Sequence, residues 1–138
     1  MPYPEQLCAP MRAELVEAGF KELRTAREVQ SVFNEMRGTA LLVINSVCGC
    51  AAGAARPAVR LSLKGPKRPE HLFTVFAGQD VEATAEARKY TLPYPPSSPS
   101  IGLFKDGKLV HFIERHQIEG HAPEIIAENL QAAYQQYC

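Results

Sequence analysis

The stretch Thr39-Ala40-Leu41-Leu42-Val43-Ile44-Asn45-Ser46-Val47-Cys48-Gly49-Cys50 decides how this chain folds. Residues 39–45 form a continuous apolar run rather than an alternation, which suits a strand covered on both faces. The small-residue stretch Ala51-Ala52-Gly53-Ala54-Ala55 follows, inside a helix expected over about residues 50–63. Pro57 falls within that helix and should kink it or break one backbone bond. Two thiols therefore stand at the turn between a buried strand and a helix. Amide groups opening the helix face a sulfur placed there and favour thiolate, the reactive form.

Working outward, Leu7, Met11, Leu15 and Ala18 recur at helical spacing and predict a helix over 5–18 that Gly19 stops. Phe20 to Arg24 reads as a short strand. Thr25 and Glu28 match the reciprocal capping pattern, and Val29, Val32, Phe33 and Met36 make the buried stripe of the helix they open. After the doublet, Lys64 to Glu70 is a polar loop, residues 72–77 a strand, and Asp80 the cap of a helix reaching about Tyr90. Leu92 to Ser100 carries four prolines and three serines and reads as an ordered loop. Asp106-Gly107 joins strands 101–105 and 108–113 in a hairpin. A last helix covers about 123–137, with Ile126, Leu130, Ala133 and Tyr137 inward. Alternating strands and helices give a parallel portion of sheet, and the hairpin adds antiparallel strands. The expected architecture is α/β, a central mixed β-sheet flanked by helices on both faces, in a single domain over 1–138.

Composition excludes several function classes. Lys+Arg and Asp+Glu are both 15, and the basic cluster Lys64 to Arg68 is broken by Gly65 and Pro66, so no nucleic-acid footprint stands out. No apolar run approaches a membrane span. Met1-Pro2-Tyr3-Pro4-Glu5 lacks the charged and apolar regions of a secretory leader, which leads to an expected cytoplasmic location. Four cysteines in a reducing compartment read as free, catalytic or metal-binding rather than as a disulfide framework.

Three readings of Cys48 and Cys50 remain at this level. They are a redox pair, or inert buried thiols acting as small hydrophobes, or two ligands of a metal or iron–sulfur carrier. A closed zinc site needs four ligands, so Cys8, Cys138 or the histidines would have to converge on the doublet. Cys8 reads as core packing. Cys138 ends the chain beside its own carboxylate, which disfavours thiolate. His111, His116 and His121 are spaced five apart and share no helical face; they read as surface or capping residues.

The element order with a thiol pair after the central strand resembles the thioredoxin fold. In that fold a cis proline precedes the first strand of the last hairpin and faces the cysteines; Pro99, in Pro99-Ser100-Ile101-Gly102-Leu103-Phe104-Lys105-Asp106-Gly107, matches it. The chain is more closely similar to the bacilliredoxin family, small thioredoxin-like proteins also described as disulfide isomerases. The similar segments are Asn45-Ser46-Val47-Cys48-Gly49-Cys50-Ala51-Ala52-Gly53, Val75-Phe76-Ala77-Gly78-Gln79-Asp80, Pro96-Ser97-Ser98-Pro99-Ser100, and Val110-His111-Phe112-Ile113 through Ile118-Glu119-Gly120-His121. Two departures from ordinary thioredoxins matter. Only Gly49 separates the cysteines, and Leu42 stands where thioredoxins carry a buried acid.

The resemblance implies a thiol–disulfide oxidoreductase without a bound cofactor. Cys48 would be the nucleophile and Cys50 the resolving thiol. The substrates would be client proteins carrying bacillithiol, or a similar low-molecular-weight thiol, in mixed disulfides. A disulfide isomerase with the same site is the second reading. Gly49 is expected to permit the bend that lets residues 48 and 50 meet, because it lacks a Cβ. The closed ring, of about eleven atoms, departs from ideal disulfide geometry and should be easy to reduce.

Overall fold

A computed structural model describes residues 2–138; Met1, first residue of the segment read for a leader, lies outside them. The strands are β1 (Lys21–Glu22), β2 (Thr39–Asn45), β3 (His71–Phe76), β4 (Ser100–Lys105) and β5 (Lys108–Ile113). They form one sheet in the order β1-β3-β2-β4-β5. β3 runs parallel to β1 and β2, whereas β4 is antiparallel to β2 and β5. The helices are α1 (Glu5–Val16), α2 (Ala26–Glu35), α3 (Arg56–Ser62), α4 (Val81–Arg88), α5 (Arg115–Ile118) and α6 (Pro123–Tyr137).

β2 is buried at every position, as its unbroken apolar run requires. Its side chains alternate between two cores. Leu41 and Val43 pack with Leu15, Ala58, Val59, Ile126 and Leu130, contributed by α1, α3 and α6. Ala40, Leu42 and Ile44 pack with Val29, Phe33, Ala83 and Ala87 of α2 and α4. The sheet is thus covered on both faces.

Local chemistry sets the ends of these elements. Thr25 Oγ1 accepts from Glu28 N at 3.1 Å while Glu28 Oε1 accepts from Thr25 N at 3.1 Å, the reciprocal cap of α2. Asp106 and Gly107 both take positive φ, 51° and 82°, the twist a two-residue hairpin turn needs. Asp106 Oδ1 also accepts from Gly38 N at 2.8 Å, pinning the hairpin tip to the start of β2. The expected helix over 50–63 is divided. A π turn (Ala51–Ala55) precedes α3, and Pro57 sits in the first turn of α3, where its missing N–H costs least.

Two expectations need correction. The inner face of α1 is Cys8, Arg12 and Leu15, not a stripe that includes Leu7, which is 45 % exposed. The face is displaced because a charged residue is buried. Arg12 Nη1 lies 2.7 Å from Asp80 Oδ2, and its guanidinium stacks over Phe76 at 5.0 Å. The same contact alters Asp80. It holds the N-cap position of α4 but makes no side-chain capping bond, because its carboxylate is turned to Arg12. Asp80 is therefore not the expected side-chain cap. α5, between β5 and α6, is an element that the periodicity does not announce.

Leu41 lies on the central strand and is fully buried. Leu41→Ala should cost about 2–5 kcal/mol, the range for emptying a buried leucine site. Urea unfolding followed by far-UV circular dichroism would read this as a lower midpoint with an unchanged slope.

Candidate active site

The end of β2 places the doublet. Asn45 is buried; its Nδ2 donates to Met11 O at 3.2 Å and its Oδ1 accepts from Ser46 N at 2.9 Å. Arg56, 1 % exposed, reaches under the turn from α3. Its Nη1 donates to Asn45 Oδ1 and to Ser46 O, each at 2.9 Å, and its Nε pairs with Glu14 at 2.9 Å. Ser46 Oγ accepts from Cys48 N at 3.1 Å. The strand end, α1 and α3 are thereby tied together directly below the cysteines.

Cys48 Sγ and Cys50 Sγ are 2.6 Å apart, and both residues are half-buried. The two sulfurs are not equivalent. Cys50 N donates to Cys48 Sγ at 3.4 Å, and Arg115 Nη2 donates to it at 3.2 Å. The Cys48 thiol is held below its ordinary value, first by the hydrogen bond from Cys50 and then by the backbone N–H of Cys50, with Arg115 and Ala51 N–H adding to these against burial. The Cys50 thiol is pushed up, chiefly by burial and then by its bond to Cys48. Negative charge in the pair therefore resides on Cys48.

Arg115 is the functional residue that sequence reading misses. It opens α5, where Nε pairs with Glu119 Oε2 at 2.9 Å and Nη1 donates to Ser98 O at 3.3 Å. The Ser98–Pro99 peptide bond is cis, as is Leu92–Pro93, and Pro99 is buried. The proline loop thus meets the doublet through Arg115, which contacts the Ser98 carbonyl and the Cys48 sulfur with one guanidinium. The Arg115/Glu119 pair at i,i+4 is visible in the sequence, but nothing there ties it to a thiol 67 residues upstream.

The bend at the doublet does not need a glycine. Gly49 is not among the residues with positive φ, and a Cβ built on it would meet nothing within 4 Å. The expectation that its missing Cβ makes the approach is corrected: the turn uses right-handed backbone open to any residue, and Gly49 leaves an exposed shoulder bare.

Other cysteines and histidines stay apart. Cys8 is fully buried, and burial raises its thiol. Cys138 is exposed. His111 Nε2 bonds Asn129 Oδ1 at 2.6 Å, and His116 and His121 line a separate cleft with Ile113 and Gln117. Among the described residues, no group of three or more His, Cys, Asp or Glu side chains is placed to hold a metal. No helix among them is long and apolar enough to cross a membrane.

Solved structures share the fold. Thioredoxin of Schistosoma mansoni superposes with a TM-score of 0.59 over 88 % of this chain and 97 % of that one, at 15 % identity. Fasciola hepatica thioredoxin gives 0.57 over 86 % and 100 %, at 19 % identity. These likenesses show a thioredoxin fold, here with an asymmetric thiol pair after its central strand. A family model described as disulphide isomerase matches residues 3–138. The bacilliredoxin of Cytophaga hutchinsonii is 62 % identical over 96 % of this chain and 97 % of its own, and that of Halalkalibacterium halodurans 57 % over 99 % and 94 %. The chain belongs to the bacilliredoxin family.

Iodoacetamide should modify Cys48 ahead of Cys50. Because the Cys48 thiol is depressed, its rate should rise with pH and reach half-maximum at a lower pH than the rate of an unstructured cysteine peptide. Arg115→Gln removes a cation that favours the thiolate, so the midpoint should move up and the rate at pH 7 fall several-fold, read by mass spectrometry of quenched samples. The same depression adds stability to the reduced fold above the unfolded thiol's value, and that contribution is lost as pH falls through the folded value. Gly49→Ala should leave unfolding stability within about 0.5 kcal/mol of the parent.

Proposed function

We propose that the protein clears a low-molecular-weight thiol of the bacillithiol type from client proteins, working in the cytoplasm where thiols are kept reduced. The observation that carries this reading is the position of the Cys48 sulfur, between Cys50 and Arg115 and lining an open cleft of about 390 Å³. That volume suits a small molecule better than a folded partner's core.

In this reading the Cys48 thiolate attacks the small-thiol sulfur of a mixed disulfide. A bond forms between Cys48 and that sulfur, the bond to the client breaks, and the client leaves as thiolate and takes a proton. Cys50 then gives up its proton and attacks Cys48 Sγ. The small thiol leaves, and the protein is oxidised by two electrons to the Cys48–Cys50 disulfide. The residue order follows from the asymmetry of the pair: the ionised sulfur attacks first, and the protonated one waits. Pro99 follows Ser98, which lines the cleft and whose carbonyl Arg115 holds, and in this reading it would help shape the exchange site. Attack of Cys48 on a wrong protein disulfide, followed by attack of a different client thiolate that forms a new client disulfide and releases Cys48 as thiolate, would amount to isomerase activity with no net oxidation, a second reading favoured by the description of the matching family model.

A bacillithiolated client incubated with the reduced protein should lose its adduct. Cys50→Ser should trap that adduct on Cys48, seen as a mass increment on the peptide, and Cys48→Ser should leave the client modified. Full activity in Cys48→Ser would sink the assignment. Recovery of scrambled ribonuclease, assayed in parallel, would show how far the isomerase reading holds.

A further inference from the structure

Arg115 is the first residue of α5 and Glu119 its C-cap, so the two stand at opposite ends of a single turn. Core and backbone fix the place of that turn. Ile118 is fully buried, Glu119 N donates to Arg115 O at 2.8 Å, and Gly120 carries the chain away with a φ of 80°. Both side chains are exposed.

An exposed ion pair at i,i+4 ordinarily contributes little to its helix. This pair also runs the wrong way for that purpose. The base opens the turn and the acid closes it, the reverse of the order that favours a helix. The acid has a second disadvantage, because carboxylate charge opposes ionisation of a nearby thiol. Burial, then the bond to Cys48, push the Cys50 thiol up, and the Glu119 carboxylate adds to that rise. Neither helix stability nor charge alone accounts for a carboxylate at this position.

The geometry of the guanidinium fork does account for it. Glu119 Oε2 accepts at 2.9 Å from Arg115 Nε, the nitrogen nearest the side-chain stem. That bond fixes the plane of a group otherwise free to rotate on a long, exposed side chain. The two terminal nitrogens then point apart, Nη2 to Cys48 Sγ at 3.2 Å and Nη1 to Ser98 O at 3.3 Å. The other charged or titratable groups facing Cys48 are Cys50 beside it and Tyr3 and Arg88 across the cleft. Among the described residues, Arg115 is the one cation that donates to the sulfur.

We propose that Glu119 is a positioning residue for exchange at Cys48 and acts through Arg115: its carboxylate holds the guanidinium in the orientation that meets the sulfur. The role rests on the reading that Cys48 attacks first. Glu119 itself does not touch the reacting atoms.

The sign of the effect separates position from charge. By charge alone, removing a carboxylate near a thiol makes the thiolate easier to form. Removing the group that aims Arg115 makes it harder. The test alkylates the reduced full chain with iodoacetamide across pH and follows Cys48 by mass spectrometry of quenched samples. In Glu119→Ala the midpoint of the rate profile should move up and the rate at pH 7 fall about threefold, part of what a hydrogen bond to a charged group contributes. Hydroxyethyl disulfide, a neutral probe, should also react more slowly at pH 7 in that variant. Cys48 displaces one of its thiolates and Cys50 the other; each takes a proton, and the probe gains the two electrons that the pair loses. Glu119→Gln keeps an acceptor for Nε without the charge and should recover most of the loss. In an Arg115→Gln background, Glu119→Ala should raise the midpoint no further. A midpoint that falls or stays in place in Glu119→Ala, no recovery in Glu119→Gln, or a rise that persists without Arg115 overturns the positioning role and leaves exchange at Cys48 intact. If Cys48 of the parent chain reacts no faster than Cys50 with either reagent, the attack-first reading is removed, and the role of Glu119 with it.

Discussion

A strand buried on both faces has to stop somewhere, and where it stops its last polar groups lose their ladder partners. Arg56 meets that requirement. One guanidinium, almost wholly buried, satisfies through Nη1 both the side-chain oxygen of Asn45 and the carbonyl of Ser46, and its Nε is paired to Glu14. The chain can therefore leave β2 at a fixed place and turn directly into the helix that follows. Because α1 supplies both Glu14 and the Met11 carbonyl, the first helix is tied to the same point. Everything the doublet does depends on that anchorage. The sulfur of Cys48 is where it is because Ser46 holds its amide, and Ser46 is held by Arg56.

From that fixed turn the pair acquires unequal character. Leu42 sits where ordinary thioredoxins carry a buried acid, and it packs in the apolar core on the α2 side of the sheet. With no acid beneath, the electrostatics of the site come from above. A backbone N–H and the Arg115 guanidinium both point to Cys48, while Cys50 is governed by its own burial. The tight spacing contributes as well. Each sulfur is the other's nearest partner, so a proton held by Cys50 stabilises charge on Cys48 directly. The single intervening residue thus takes over part of what a longer loop and a buried carboxylate do elsewhere.

Much of the scaffold could be read from the chain because it rests on local rules. An unbroken apolar run marks a doubly covered strand; Thr25 with Glu28 closes a cap; Asp106-Gly107 supplies two left-handed residues to a hairpin. What escaped reading involves charges that break the simple pattern. Arg12 and Arg56 are buried, and hydropathy counts them as surface. Hydropathy alone therefore places the inner face of α1 one residue away, on Leu7, and gives Asp80 to its own helix rather than to Arg12. Arg115 escaped for another reason. It belongs to a helix of four residues, and its contact with Cys48 exists only once β5 and the proline loop have come together. Gly49 is the reverse case, a residue whose type suggested a steric role that its backbone does not require.

The balance of 15 basic and 15 acidic residues hides how the charges are distributed. Arg12 gathers Glu5, Glu22 and Asp80 on the α1 side, and Arg56 takes Glu14. Those carboxylates are held away from the thiols by guanidinium groups that are themselves buried. Among the described residues, Glu119 is the one acid paired to an arginine that lines the cleft, and it engages Nε, leaving the two terminal nitrogens of Arg115 toward Ser98 and Cys48. A formally neutral protein thereby keeps a positive field at one sulfur. Because buried and partly buried pairs are screened far less than exposed ones, this segregation should persist at the salt concentrations of the cell. The positive charge that favours thiolate at Cys48 thus comes from Arg115, whose Nη2 remains directed at the sulfur because its acid partner takes Nε.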